Sequence, residues 1–463
     1  MATTTTSHGT SPGPSRAPEA APRGFDPATA RPFLEQFDRL KADLPGGSLS
    51  WVRDLRDQGR ARFAQLGFPT VKNESWRYTN LRALDKLAFQ PAVAAETGVR
   101  FDVLPTVRAA GTSGPRLVFV DGRFRAELSS TAGLPAGVEL LNLADALTHK
   151  PDLVGEHLGR LATPDDLPLV ALNTAFLADG PVLHVPQGVE VAEPVELVFV
   201  SVGSDEHPTS FHPRTLIVAE DNARVVIVEH HVGLGTGATL SNGVGEVFVG
   251  ANASVHHYKV QREHTNAFHL SHTAAKVGGH GVYDNFILTT GAKLSRNEVR
   301  STFDGEHGDI HVSGAYMVRG DQHVDTSTFI DHAVPCCTSR EVYKGVIDDT
   351  ARAVFQGKIL VRPGAQKTDG YQQNRALLLS ETAEIDAKPE LEIYADDVKC
   401  SHGATAGELD DQQLFYLRAR GIDKEAARGL LIGAFLAEAL DEIPEEGVRE
   451  AFQAYVSAWQ NAR

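Results

Sequence analysis

The chain has 463 residues, 42% of them hydrophobic and 22% charged, and a formal net charge of −16. That length calls for more than one structural unit, and the composition is that of an ordinary globular protein. So acidic a chain lacks the basic stripe that nucleic acids demand, and anionic bilayer surfaces repel it, which argues against both as partners.

Residues 1–28 are rich in Thr, Ser, Pro and Ala and read as a disordered low-complexity tail without the apolar core of a secretory signal. Residues 29–175 read as a helical and mixed region. Trp51, Leu55, Phe63 and Leu66 recur near helical spacing, Gly67-Phe68-Pro69 ends that pattern, and Leu117–Val120 with Asp121-Gly122 reads as a strand and turn. From 176 to 402 helical periodicity disappears, and short Val/Ile/Leu-rich runs alternate with polar turns. A small residue recurs after those turns: Ala223, Ala253, Ala292, Ala351 and Ala383, with Gln322 as a degenerate copy. A repeat of about thirty residues with strands and no helices predicts stacked coils, because neighbouring coils crowd at their corners. Antiparallel hairpins of a sandwich would need no such corner residue. From 403 to 463 helices return. Asp410 or Asp411 and Asp423 are caps, Gly421 and Pro444 are stops, and Val448, Phe452, Tyr455 and Trp459 share a stripe.

Three cysteines, Cys336, Cys337 and Cys400, are too few and too odd for a disulfide framework and fit a reducing, cytoplasmic setting. Cys400 and His402 stand out, since positions i and i+2 of a strand share a face and both residues ligate soft or borderline metals. Two ligands do not complete a tetrahedral site, so the others must come from elsewhere in the fold or from a partner. Adjacent Cys336 and Cys337 on a strand would point apart and are read as packing residues. His256, His257, His264, His269, His272 and His280 cluster without any metalloprotease spacing and are read as solvated or hydrogen-bonded on the β faces. Asp331 and His332 would point apart on a strand. Gly364–Thr368 lacks the Gly before Lys of a phosphate loop, so no ATP site is expected. Leu414, Phe415, Tyr416 and Leu417 wrap most of one helix, which leaves apolar surface for a partner. Glu74-Ser75-Trp76-Arg77-Tyr78 reads as a docking element.

On these residues the chain resembles the SufB/SufD family, and within it SufD. The resemblance runs from Glu74–Thr79 to the last helices. It is strongest in Asp331-His332, Ser339–Val346, Val361–Asp369, Lys388–Val398 and Lys399–Gly421. It implies a mainly β fold, a right-handed parallel β-helix with helical regions at both ends. It also implies a non-catalytic scaffold subunit of the SUF iron–sulfur cluster assembly system, paired with a SufB-like chain and the ATPase SufC. In that picture His402 and Cys400 meet transient iron or a nascent cluster at the SufB interface. Leu414, Phe415, Tyr416, Leu417 and Arg420 lie in the SufC-binding region, 403–463. SufB-like chains typically read Glu-His-Glu-Ala-Thr where this chain has Ser401–Thr405, and carry a Cys near Asn374; the absence of both favours SufD. The alternatives are a SufB-like paralogue, a homodimeric metal-binding β-helix, and a carbohydrate-cleaving β-helix enzyme, against which the partner-like helices argue. The residues are silent on a flavin.

Overall fold

Parallel pairing dominates the computed structural model, which describes residues 23–92, 98–108, 114–204 and 206–462. The regular part is β1 (Arg224–Gly233), β2 (Thr239–Val249), β3 (Ser254–Arg262), β4 (Phe268–Val277), β5 (Val282–Thr289), β6 (Leu294–Phe303), β7 (Asp309–Val318), β8 (His323–His332), β9 (Thr338–Ile347), β10 (Arg352–Val361), β11 (Asp369–Leu378), β12 (Glu384–Ile393) and β13 (Lys399–Gly407). Odd strands pair in parallel with one another, and so do even strands. The chain therefore winds between two facing sheets as a parallel β-solenoid, as the sequence predicts. The mixed region also feeds the sheets: Arg116–Val120 and Val195–Ser201 extend the odd one, and Pro181–Val185 and Arg214–Ala219 extend the even one. At the other end, β13 continues past residue 402, where the sequence reading ended the core.

The corners explain the repeat and correct one part of its reading. Immediately before the odd strands stand Asn222-Ala223, Asn252-Ala253, His280-Gly281, His307-Gly308, Cys336-Cys337 and Lys367-Thr368, the first of each pair with φ between 55° and 62°. Asn and His tolerate this left-handed conformation better than most side chains. The second residue is tucked inside and must be small, since the next coil lies directly above it. Ala292, Gln322, Ala351 and Ala383 belong to the opposite corners, which lead into the even strands. The alanines are thus two interleaved series of about thirty residues each, not one. The long interval between Ala253 and Ala292 is the step from one series to the other. Cys336 and Cys337 are likewise corner residues and not strand neighbours, with Cys337 filling the Ala position, fully buried.

Both outer faces are covered. On the even sheet lie α1 (Arg31–Leu40), α2 (Ser50–Leu66) and α3 (Pro168–Ala175), which share a core of Phe33, Phe37, Phe63 and Phe68 with Phe268 and Leu270 of β4. The low-complexity tail falls mostly outside the described residues, but its end is ordered. Phe25–Asp26 pairs with Phe68–Pro69, and the Asp26 carboxylate accepts from Ala28 N–H at 3.2 Å. Three helices follow the solenoid: α4 (Asp411–Arg418), α5 (Lys424–Leu440) and α6 (Glu446–Asn461). Each of α4 and α5 begins at an aspartate, Asp410 and Asp423, whose side chain accepts two backbone N–H bonds. Helices α5 and α6 bury Ile432, Leu436, Phe452 and Val456 against Tyr258, Phe286 and Met317 on the odd sheet. The α6 stripe is Val448, Phe452, Val456 and Trp459; Tyr455 stands at its margin with the Arg262 guanidinium 4.0 Å from its ring centre.

Candidate metal and partner-binding site

Among the described residues, nothing caps the solenoid at its C-terminal end. Strand β12 pairs with β10 on one side, β13 pairs with β11 on one side, and the other edge of each is free. Residues of these two strands are exposed or half-buried throughout, whereas β10 is buried at every second position. A parallel edge with its inner face uncovered is a template for another chain.

Cys400 and His402 sit on that last strand. Cys400 lies in register with Gly370 and His402 with Gln372, so both sit above the space between the sheets. Cys400 is half-buried and packs on the inner core, and His402 is exposed. Gly370 has no side chain, which lets the thiol settle above Ser339, itself bonded to buried His332 at 2.9 Å. Burial, aided by the Asp369 charge, pushes the Cys400 thiol up despite a backbone bond from Gly370. The protonated thiol is a poor ligand until a metal or a basic group takes its proton.

Below His402 runs a buried polar file. Gln372 Nε2 donates to Glu341, and both are fully buried. Burial pushes Glu341 up to about 7, against the bonds from Thr328 and Gln372 that favour its ionised form. Gly357 on the opposite sheet makes room for Gln372: a Cβ there would lie 2.2 Å from Nε2. Asn374 is buried and accepts from Tyr316 Oη at 3.0 Å.

The residues singled out on α4 lie elsewhere on the surface. Leu414 and Leu417 are half-buried, Phe415 and Tyr416 are 73% and 56% exposed, and α4 has no buried residue. Arg420 covers the Tyr416 ring at 3.5 Å. The Trp76 motif docks the N-terminal region onto the even sheet. The Arg296 guanidinium lies 4.1 Å from the Trp76 ring centre, Glu74 bonds Lys388 at 2.7 Å, and Thr79 bonds His323 at 2.9 Å.

Histidines of the cluster are hydrogen-bonded, but several are turned inward. His256 faces outward and bonds Glu445, but His257 and His269 are buried between the sheets together with His231. Glu229 bonds His231 at 3.0 Å and His257 at 3.1 Å, and Glu263 bonds His269 at 2.8 Å. The sequence reading missed His231, Glu229 and Glu263. Their signal was there: Glu229 and His231, then His257, Lys259 and Gln261, alternate along two strands, which places them on one face. Asp331 and His332 do point apart, Asp331 to Arg362 at 2.6 Å on the outside.

The structure is thus a parallel β-solenoid flanked by helices, with a thiol and an imidazole on its last strand. Residues 199–435 match the model of the SUF system FeS cluster assembly SufBD core domain, and residues 28–197 that of the SufBD protein N-terminal region. An iron–sulfur cluster assembly SufBD family protein of Synechocystis is 34% identical over 90% of this chain and 93% of its own length. The iron–sulfur cluster assembly protein SufD of Escherichia coli is 32% identical over 84% and 89%, and SufD of Bacillus subtilis 30% over 87% and 92%. The chain belongs to the SufBD family of iron–sulfur cluster assembly proteins. Among the described residues, no helix is long and apolar enough to cross a membrane.

Proposed function

We propose that this chain is the SufD-like subunit of a cytoplasmic SUF complex, a non-catalytic scaffold whose open solenoid end pairs with that of a SufB-like chain. Iron or a nascent cluster, the cargo, meets His402 and Cys400 at this seam, and the SufB-like chain supplies the remaining ligands. A SufC-type ATPase docks on α4 through Phe415 and Tyr416, with Leu414, Leu417 and Arg420 shaping the patch. ATP hydrolysis belongs to that partner. The observation that carries the reading is the bare terminal coil, whose two free edges and exposed inner face coincide with the two metal-binding side chains.

On this reading His402 and Cys400 have distinct roles. Exposed His402 offers a nitrogen at once, whereas Cys400 must lose a proton held by its half-buried setting. Iron arriving at the imidazole would lower the thiol's proton affinity and recruit it second. The test is co-expression with SufB- and SufC-like partners, followed by measurement of complex stoichiometry and iron content. His402→Ala is expected to leave the complex intact and reduce its iron; unchanged iron and cluster formation would refute the ligand role. Removal of the residues after Asp410 is expected to release the ATPase. A homodimer of the isolated chain through the same end, not displaced by the SufB-like chain, would overturn the pairing.

A further inference from the structure

The inside of the solenoid changes character along each coil. On β1 the inward residues run Val225, Ile227, Glu229, His231, and on β3 Val255, His257, Lys259, Gln261. Val225, Ile227 and Val255 are packed in the inner apolar cluster, and the inward residues after them are polar yet buried. At the corner after β3 three side chains from three elements converge: His231 near the end of β1, Glu263 in the turn, and His269 at the start of β4. They are 5%, 4% and 0% exposed, and one potential ligand atom from each lies within 4.8 Å of the others.

Hydrogen bonding leaves this group incomplete. His269 Nδ1 is bonded to Glu263 Oε1 at 2.8 Å, and its Nε2 has no hydrogen-bond partner among the described residues. A buried nitrogen lone pair without a donor costs about 1–3 kcal/mol. The charges are incomplete as well. Glu229 and Glu263 face a single ammonium, Lys259, whose Nζ donates to Ser271 Oγ at 2.9 Å. Around the three sits an orienting layer: Glu229 holds His231 at Nε2, and Gln261 Nε2 holds Glu263 Oε2 at 2.5 Å. Imidazoles fixed by carboxylates are the usual surroundings of a bound metal ion. The turn itself is fitted closely between glycines. A Cβ on Gly291 would lie 2.4 Å from the Glu263 backbone, and one on Gly233 2.5 Å from His264 N.

We infer that His231, Glu263 and His269 form a binding site for one divalent first-row transition-metal ion inside the solenoid, separate from the seam at Cys400 and His402. Two imidazoles and one carboxylate suit Fe(II) or Zn(II), and exclude the thiolate-rich chemistry of clusters. The ion supplies the electron-pair acceptor that His269 Nε2 lacks and offsets the excess carboxylate. For all three to reach bonds of about 2.1 Å, the Glu263 carboxylate leaves His269 Nδ1 for the ion, or the His269 ring turns over.

The experiment uses the full chain, stripped of metal by a chelator and titrated anaerobically with Fe(II), Zn(II) and, as a spectroscopic probe, Co(II). A Cys400→Ser/His402→Ala background separates this site from the seam. One ion per chain is expected in both the parent and that background, with Co(II) visible bands and no thiolate charge-transfer band. Glu263→Gln and His269→Gln are expected to weaken binding at least tenfold. Absence of binding, binding unchanged in these variants, or loss only in the Cys400/His402 background would each overturn the inference. Should the variants fold poorly by circular dichroism, crystals of the unaltered chain soaked with Co(II) decide it. An anomalous peak between His231, Glu263 and His269 supports the site, and peaks only elsewhere, or none, overturn it.

Discussion

Replacing Glu341 by Gln should stabilise the solenoid, and by more as the pH rises. The carboxyl is fully buried between the sheets, and burial lifts its pKa from 4.5 to about 7. A raised acid pKa means that the native state holds its proton more tightly than the unfolded chain. Stability therefore falls as pH climbs from about 4.5 to about 7 and then levels off. At 1.36 kcal/mol per pKa unit the ionised carboxylate costs about 3 kcal/mol above pH 7. Glutamine keeps the shape and an oxygen to accept from Gln372 Nε2, while its amide can donate to Thr328 Oγ1. Denaturant unfolding of both proteins between pH 4.5 and 8.5 should give a stability difference that opens by about 3 kcal/mol across this window. A difference independent of pH would refute the reasoning, because it would mean that Glu341 ionises without penalty.

Four further outcomes follow. Phe452→Ala, which empties the fully buried centre of the α6 contact, should cost about 3–5 kcal/mol and raise hydrogen exchange in α5 and α6 while the inner coils stay protected. The His256–Glu445 contact should hold α6 best between about pH 4.5 and 6.5. Burial opposes the charge on both partners, but each outweighs it for the other, raising His256 and lowering Glu445. The contribution is thus lost as pH rises through the histidine's folded pKa or falls through the glutamate's, and Trp459 fluorescence should report both limbs. Phe415→Ser with Tyr416→Ser should leave stability within about 0.5 kcal/mol, because both are exposed, yet abolish capture of the SufC-type ATPase in a pull-down. Ala253→Leu, at a corner with no exposed surface, should destabilise by about 1–3 kcal/mol or more in thermal unfolding.

The winding of the chain was legible because its corners impose a local demand. A left-handed residue followed by a small one recurs in sequence whatever its distant neighbours are, as Asn222-Ala223 and Asn252-Ala253 illustrate. That there were two such series was not legible, since Gly281, Gly308, Cys337 and Thr368 serve the same corner as Ala253 without sharing its identity. The place of Cys400 and His402 followed from their position at the end of the β texture. The bareness of the last coil did not, because exposure of an edge is a property of what fails to pack there. Which of the hydrogen-bonded histidines turn inward was not legible for a related reason. His256 and His257 are neighbours in the chain, yet one reaches Glu445 on a helix and the other Glu229 inside, and only the pleat separates these fates. On α4, four apolar or aromatic residues in a row did announce a surface that the chain itself leaves uncovered.

The unbroken parallel register has one more consequence. Residues that face inward stand in vertical files, such as Glu341, Gln372 and His402, which run through successive coils with no slip. Change to this molecule therefore comes in quanta. Gain or loss of a whole coil, about thirty residues, would lengthen the rod and leave every file intact. A single inserted residue within a strand would turn its inner chemistry out to solvent.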